Sequence, residues 1–305
     1  MKNTEELIGS ILESYEEHPS VTKLDVDNIL NREILIRVLE KLREIVFPGY
    51  FDPARIRSEY IKYILGDHIE FIQHHLTKQV AKALGSAAEC AECPKSDLAR
   101  KAESTVEQFL SRIPKIREYL ASDVQAAFDG DPAASGTDEI IWCYPGINAI
   151  TVYRIAHELY LLGIPLIPRI MTEYAHGQTG IDINPGASIG KYFCIDHGTG
   201  IVIGETTVIG DNCKIYQGVT LGALSTRQGQ QLRGKKRHPT LGNNVTIYAG
   251  ATVLGGETVI GDNTTIGGNA FIVNSVSKDM KVSVRNPELQ YSSDRPDDES
   301  WYWII

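Results

Sequence analysis

The sequence predicts an α+β chain, with an N-terminal α-helical domain followed by a C-terminal parallel β-helix of hexapeptide repeats. Two observations lead to this prediction. From Ile183 onwards an aliphatic residue returns at every sixth position, and glycine often follows it, as in Ile189-Gly190 and Ile203-Gly204. Before these repeats, apolar residues recur at spacings of three and four, which is typical of amphipathic helices.

The hexapeptide period holds over most of the second half of the chain. It slips by two residues after Ile201 and is interrupted after Leu221. Its aliphatic positions are Ile183, Ile189, Ile195, Ile201, Ile203, Ile209, Ile215, Leu221, Leu241, Ile247, Val253, Ile260, Ile266 and Ile272. Such periods are typical of parallel β-helices, whose coils must stack because no single coil buries its own apolar column. Corner segments such as Gly210-Asp211-Asn212 suit the positive φ that tight turns require.

Composition and charge narrow the class of protein. The chain has 305 residues, which is enough for two domains. Its net charge of -9 argues against nucleic-acid binding, because phosphate contacts need clustered Lys and Arg. There is no signal-like run and no apolar stretch of about 18 residues, so neither export nor membrane spanning is expected. Five cysteines are an odd, sparse set for a disulfide framework. We therefore expect a cytoplasmic protein.

The chain divides into three predicted segments. Residues 1–175 should form the helical domain, residues 176–281 the β-helix, and residues 282–305 a flexible, acidic tail. In the helical domain, Asn31–Val46 forms an amphipathic stripe, and one long helix from about Ile147 to Tyr174 should lead into the β-helix.

Residues 223–240 interrupt the hexapeptide period and should protrude as a loop. They include five basic residues and no acidic one: Arg227, Arg233, Lys235, Lys236 and Arg237. The loop is either an ordinary solvated segment or an anion-attracting arm beside a site for an acidic ligand.

The motif Cys90-Ala-Glu-Cys93 lies in the helical half, downstream of His74-His75. A CxxC pair can bind zinc or undergo redox chemistry, but a structural zinc site needs four ligands and no second CxxC is present. We expect two ordinary thiols and no metal.

Several runs inside and just before the repeats have a distinctive order and spacing. They are Asp182–Gly190, Ile195–Thr206, Ile215–Gly222 and Lys236–Thr240, preceded by Gly130–Ala133 and Tyr153–His157. Together these runs resemble the serine O-acetyltransferases, a family of hexapeptide-repeat acyltransferases. The resemblance covers about half of the chain, and residues 1 to about 120 match only in helical character.

This resemblance implies a fold and an activity. The coil would be left-handed, and the enzyme would transfer acetyl from acetyl-CoA to the hydroxyl of L-serine, giving O-acetyl-L-serine for cysteine biosynthesis. L-cysteine would be a feedback inhibitor. Sites between subunits imply a homotrimer or a dimer of trimers.

Acetyl transfer from a thioester to a hydroxyl needs a base, and histidine is well matched because it titrates near neutral pH. His197, at a corner of the coil, is the predicted base. By resemblance Asp182 pairs with it as a catalytic dyad; from the residues alone, Asp182 could equally be a turn residue. His157, alone on an amphipathic helix, is expected to be structural.

The acceptor and acetyl-CoA sites are predicted partly by resemblance. Asp131 and Pro132 would reach the acceptor site, Asp196 would contact the ammonium group of serine, Arg237 would bind its carboxylate, and His238 would add a hydrogen bond. Acetyl-CoA is expected in the groove between adjacent β-helices, where small residues permit close approach. The residues assigned to it are Gly222, Tyr248, Ala249, Gly267 and Gly268. At Asn184 the family frequently has histidine, so local hydrogen bonding there should differ.

The tail ends at Ile305, and serine acetyltransferases commonly end in isoleucine. The resemblance therefore implies binding of O-acetylserine sulfhydrylase through that terminal residue.

Three alternatives remain open. The first is acetylation of a sugar or antibiotic hydroxyl on the same scaffold, against which the pairs Asp131-Pro132 and Arg237-His238 argue. The second is a β-helical zinc carbonic anhydrase, which needs three histidine ligands, whereas the repeats from Ile183 onwards contain only His197 and His238. The third is a non-catalytic assembly protein, which leaves the clustered acidic residues and histidines unexplained.

Overall fold

The computed structural model describes residues 3–24, 26, 28–51, 56–86 and 94–285, and there the chain forms helices first and coils second. Cys90, Cys93 and Ile305 lie outside the described residues. The helices are α1 Thr4–Glu17, α2 Arg32–Val46, α3 Ile61–Gly85, α4 Lys95–Ser111, α5 Ile113–Gly130, α6 Thr137–Cys143, α7 Pro145–Leu161 and α8 Ile167–Thr179. Within these ranges, no helix combines the length and the apolar character needed to cross a bilayer.

Short parallel strands build the second half of the chain. They are β1 Asp182–Ile183, β2 Ser188–Ile189, β3 Cys194–Asp196, β4 Val202–Ile203, β5 Val208–Ile209, β6 Lys214–Tyr216, β7 Thr220–Gly222, β8 Thr240–Leu241, β9 Thr246–Ile247, β10 Thr252–Leu254, β11 Val259–Ile260, β12 Thr265–Ile266, β13 Phe271–Ile272 and β14 Lys281–Val282. Every third strand pairs, except that β14 pairs with β12. This gives three sheets: β1-β4-β7-β10-β13, β2-β5-β8-β11 and β3-β6-β9-β12-β14. This is the predicted parallel β-helix, and its architecture is consistent with a left-handed coil.

The aliphatic column that the period predicts is the core of the coil. Ile195 pairs in register with Ile215, which pairs with Ile247, and all three are buried. The corresponding residues of the other two sheets stack in the same way, as in Ile203 and Leu221. The hexapeptide period therefore marks the inward-facing position of each strand.

The corner prediction is correct for asparagine and wrong for glycine. Asn212, Asn244 and Asn263 have φ near +57°, and their side chains form a hydrogen-bonded ladder along one edge. Gly210 does not adopt a positive φ, but a Cβ there would lie 2.7 Å from the carbonyl oxygen of Gly242. Glycine is required at this corner because successive coils approach closely, whereas asparagine takes the left-handed conformation.

The expected single helix from Ile147 to Tyr174 is two helices, α7 and α8. Gly163 ends α7 with φ of 72°, and Pro165 follows it. Proline has no N–H and clashes with the preceding turn, so the helix cannot continue through it. The expectation rested on apolar spacing, which takes no account of the helix-ending residues Gly163 and Pro165.

A buried ion pair attaches the helices to the first coil. Arg154 on α7 donates to both carboxylate oxygens of Asp123 on α5, each at 3.1 Å. The same guanidinium donates to the carbonyls of Ile189 and Gly190, and Asp123 also accepts from the N–H of Phe193. Each charge is thereby hydrogen-bonded in several directions, as burial of an ion pair requires. The end of the coil is fixed relative to α5, whose last residue adjoins Asp131.

Candidate active site

His197 occupies the corner at which the hexapeptide period slips. Asp196 and Val202 are six positions apart, whereas the corresponding Tyr216 and Thr220 in the next coil are four apart. Gly200 stacks directly on Gly218, so the two extra residues lie between Asp196 and Gly200, and not after Ile201 as the period alone predicted.

This insertion lifts His197 out of the regular wall of the coil. Its side chain is 74% exposed, and its φ of 57° is a left-handed conformation that costs a histidine about 1 kcal/mol. Nε2 lies 3.7 Å from Oδ1 of Asp196, which is beyond ordinary hydrogen-bond distance. An exposed ring held on a rigid corner has the placement that a base acting on a bound ligand needs.

Asp182 is the first residue of β1 and lies just after a corner of the coil below. The N–H of Gly200 donates to the carbonyl of Gly180, so the two corners stack. Oδ1 of Asp182 accepts from Arg169 at 3.1 Å, and in the part of the chain that the structure describes its carboxylate forms no hydrogen bond or ion pair with His197. The predicted dyad therefore remains a prediction.

The carboxylate of Asp182 also lies within 4.8 Å of the ligand atoms of Glu173 and His176. Arg169 pairs with Glu173 as well as with Asp182, and His176 pairs with Glu173. These groups form one ion-pair network on α8 and β1.

Asp196 and Asp131 are brought to the same corner region as His197. Oδ2 of Asp196 lies 2.8 Å from Nζ of Lys214, and its side chain is 17% exposed. Asp131 follows α5 and accepts hydrogen bonds from the Tyr144 hydroxyl at 2.5 Å and the Ala133 N–H at 2.9 Å. Pro132 is exposed in the turn that follows.

The hydrogen bond from Tyr144, with that from Ala133, holds the pKa of Asp131 below its usual value. Lys214, whose Nζ donates to the carbonyl of the adjoining Gly130, and His197 lower it further through their charges. Tyr144 in turn has its pKa raised to about 12 by Asp131. Two carboxylates and a histidine therefore face one region of solvent.

Arg237 and His238 precede β8 in the chain. They lie over a different corner, the one between β4 and β5 in the coil below. Arg237 pairs with Glu205, and the His238 ring covers Gly204 so closely that a Cβ there would meet it at 2.0 Å. Nδ1 of His238 accepts from the N–H of Thr206 at 3.0 Å. Burial, assisted by Arg237, lowers the pKa of His238 to about 4.

The base of the predicted loop 223–240 is held against this corner. Nζ of Lys236 donates to the carbonyl oxygens of Thr206, His238 and Pro239. Lys236 and Arg237 are therefore bound to the coil, and a single turn of 3₁₀-helix at Gly229–Leu232 lies in the exposed part of the loop.

The five residues predicted to bind acetyl-CoA have contacts within the chain. A Cβ on Gly222 or on Gly267 would lie 2.9 Å from Leu254 and from the carbonyl of Val282 respectively, and one on Gly268 would lie 3.1 Å from the carbonyl of Ala249. Packing between coils therefore explains these glycines without a ligand. Tyr248 is half exposed and stacks on Tyr216, with ring centroids 5.0 Å apart.

Several partners of the predicted residues were not found from sequence: Tyr144, Glu205, Thr206, Lys214 and Arg169. Glu205 and Thr206 lie inside one of the quoted runs, which was a usable signal. Tyr144, Lys214 and Arg169 are adjacent to the site only through tertiary packing. His157 donates from Nδ1 to the carbonyl of Pro185 at 2.8 Å and stacks on Tyr153, which agrees with the structural role expected for it.

Comparison with known proteins identifies the family. No protein-family model matches the chain. It is 45% identical over 227 residues to the "Serine acetyltransferase, plasmid" of Synechococcus elongatus, an alignment that covers 72% of this chain and 71% of that protein. The chain belongs to the serine acetyltransferase family. It is accordingly an enzyme of the acyltransferase class.

Two further relatives agree with this assignment. The serine acetyltransferase of Synechocystis sp. is 50% identical over 132 residues, which are 43% of this chain and 51% of that protein. The crystal structure of serine acetyltransferase isoform 3 from Entamoeba histolytica, in complex with cysteine, superimposes with a TM-score of 0.71 at 37% identity. That match covers 90% of this chain and 88% of the other, so the helical half shares the family architecture too.

Proposed function

We propose that the enzyme transfers the acetyl group of acetyl-CoA to the hydroxyl of L-serine, giving O-acetyl-L-serine and CoA. The observation that supports this most directly is the exposed ring of His197, which lies on a rigid corner beside the carboxylates of Asp131 and Asp196. Two carboxylates favour a cationic ammonium group, to which charge-assisted hydrogen bonds are stronger than those to a neutral sugar hydroxyl.

The proposed chemistry assigns each proton. Nε2 of His197 takes the proton of the serine hydroxyl as its oxygen attacks the thioester carbonyl. The tetrahedral intermediate collapses, the carbon–sulfur bond breaks, and the imidazolium returns the proton to the sulfur of CoA. Asp182 would orient His197 once its carboxylate turns from Arg169 towards the ring.

The two groups of predicted residues point to a shared site between subunits. Asp131, Asp196 and His197 lie at one corner of the coil, and Arg237 and His238 at the next. One face of the coil separates them, which at about 3.3 Å per residue is roughly 15 to 20 Å. A bound serine cannot reach both corners of one chain. In a homotrimer, the corner with Arg237 and His238 of one subunit would meet the His197 corner of its neighbour, and a dimer of trimers would preserve these sites.

Acetyl-CoA would lie along this interface. Asp196, Tyr216 and Tyr248 follow one another on the outer surface of adjacent coils, so an exposed aromatic ladder continues from the His197 corner. We assign the pantetheine portion of acetyl-CoA to this ladder, near Ala249, Gly267 and Gly268.

L-cysteine has the ammonium and carboxylate groups of serine, so it should compete for the same residues as a feedback inhibitor. A further proposal is that Ile305 binds O-acetylserine sulfhydrylase in the cytoplasm. Calorimetry with a chain lacking Ile305 tests it, and unchanged binding would contradict it.

The decisive experiment replaces His197 by asparagine. Asparagine adopts the left-handed conformation at other corners of this coil, so the backbone should be retained while the base is lost. Thiol release from acetyl-CoA with L-serine should fall about 10²- to 10⁴-fold. The matched control is His18→Ala, which changes an exposed histidine at the end of α1 and should have no effect. Turnover of a sugar with inert L-serine would contradict the proposed acceptor.

A further inference from the structure

Lys214 has the contacts of a residue that organises the serine site without touching the substrate. It is the first residue of β6 and pairs with Cys194 in the coil below and Thr246 in the coil above. Its side chain is only 19% exposed, which is unusual for lysine. A lysine is rarely kept this far from water unless its ammonium group is fully paired.

The ammonium group of Lys214 has three partners. Nζ lies 2.8 Å from Oδ2 of Asp196 and 2.7 Å from the carbonyl oxygen of Gly130, and 4.7 Å from the ring centre of Tyr216. Burial opposes the charge, but the hydrogen bond to Asp196 and the neighbouring Tyr216 outweigh it and raise the pKa of Lys214. The charge is therefore retained in the folded enzyme at neutral pH.

Two of these contacts position the carboxylates that are proposed to bind serine, those of Asp131 and Asp196. Gly130 is the last residue of α5, and its carbonyl lies at the negative end of the helix dipole, which favours a cation there. Asp131 follows immediately, so Lys214 fixes the point at which the chain leaves α5 for Asp131. Adding a Cβ at Gly130 would bring it within 3.3 Å of Nζ, so the fit is close.

On the other side, Lys214 sets the orientation of Asp196. The Lys214 ammonium group binds Oδ2 of Asp196. Oδ1 lies 3.7 Å from Nε2 of His197, and these two atoms are not hydrogen-bonded. Oδ1 is thereby left for an incoming ammonium group, at the side where the base lies.

We propose that Lys214 is a positioning residue that holds Asp131 and Asp196 at the separation and orientation needed to bind the ammonium group of the amino-acid acceptor. This inference rests on the proposed function, and it assigns Lys214 no direct contact with serine. Lys214 also offsets the repulsion between the two carboxylates while the site is empty.

The test compares Lys214→Met, which keeps the length of the side chain but not its charge, with Lys214→Arg. Lys191→Met is the matched control, because Lys191 also joins the coil to α5, through Glu118, but away from the site. In Lys214→Met the KM for L-serine should rise about 10- to 100-fold, the loss expected for one charge-assisted contact. The KM for acetyl-CoA should change less than twofold, and Lys214→Arg should recover part of the serine affinity.

Two results would overturn the role of Lys214 alone. One is an unchanged KM for L-serine in Lys214→Met; the other is a parallel rise in both KM values with a lower melting temperature and no recovery in Lys214→Arg. If the unmodified enzyme itself fails to acetylate L-serine, the proposed function is wrong and the positioning role falls with it.

Discussion

Nδ1 of His238 accepts a hydrogen bond from the backbone N–H of Thr206. A nitrogen that accepts carries no proton, so in the neutral ring the proton lies on Nε2. Because the pKa of His238 is lowered to about 4, the ring is neutral at pH 7. Nε2 has no hydrogen bond within the described residues and is not among their buried unpaired atoms. His238 is therefore placed to donate a hydrogen bond from Nε2, and His197 remains the proposed base.

The low pKa of His238 should make the protein less stable in mild acid. In the unfolded chain the ring protonates below about pH 6.5, whereas in the folded chain it stays neutral down to about pH 4. Between these values the unfolded state gains protons that the native state does not, which should cost about 1 to 2 kcal/mol after allowance for solvent screening. Urea unfolding at pH 7 and pH 4.5, at fixed chain concentration, measures this loss. The His238→Gln variant should lose less stability between these two pH values. A loss identical to that of the unmodified protein would contradict the lowered pKa of His238.

Replacing Tyr144 by phenylalanine should change the pH dependence of serine use. The Tyr144 hydroxyl is the main cause of the low pKa of Asp131, so its removal raises that pKa. Asp131 then becomes neutral at a higher pH, and the acid limb of kcat/KM for L-serine should move upwards in pH. Tyr63→Phe, at an exposed position on α3, is the control. Identical pH profiles for Tyr144→Phe and the unmodified enzyme would contradict the proposed role of Asp131 in binding serine.

Mixing two inactive variants tests whether subunits share each site. His197→Asn and Arg237→Ala each remove a residue from a different corner. If the corners of neighbouring subunits form one site, co-expressed variants in a trimeric ring should recover about a quarter of normal activity, because a quarter of the interfaces contain both intact residues. Separate homotrimers mixed after purification provide the baseline. No recovery in verified mixed trimers would indicate that each chain forms its own site.

The ion pair between Asp123 and Arg154 should be needed for stability. Asp123→Ala leaves the Arg154 guanidinium buried without its counter-charge, which should lower the free energy of unfolding by about 3 to 5 kcal/mol. Urea denaturation at fixed chain concentration measures the change. Glu118→Ala, which breaks an exposed pair on the same helix, should leave the midpoint unchanged. Similar midpoints for both variants would contradict the role of Asp123.

The coil was predictable because its core has one period. A single column contains Ile195, Ile215 and Ile247. Each further coil needs an aliphatic residue at the same inward position. The helical half has no such redundancy. The boundary between α7 and α8 is set by Gly163 and Pro165, which the hydrophobic pattern does not record.

The site was predictable only in part. Family resemblance and proton-transfer chemistry predicted His197, and the structure places the two-residue slip at its corner. Tyr144 and Lys214 were missed because they reach Asp131 and Asp196 from other elements, across gaps of 13 and 18 positions in the chain. Contacts of this kind follow from how α5 is fixed to the coil, which no local motif encodes.

The two-residue insertion at His197 also bears on how this architecture can vary. A solenoid contacts only neighbouring coils, so its length can change by whole coils without altering distant ones. The insertion lies near the end that adjoins the helices, far from β13 and β14. Natural or engineered chains can therefore gain or lose terminal coils without moving the corner that carries His197. A break in periodicity is then a practical marker for candidate functional residues in repetitive proteins.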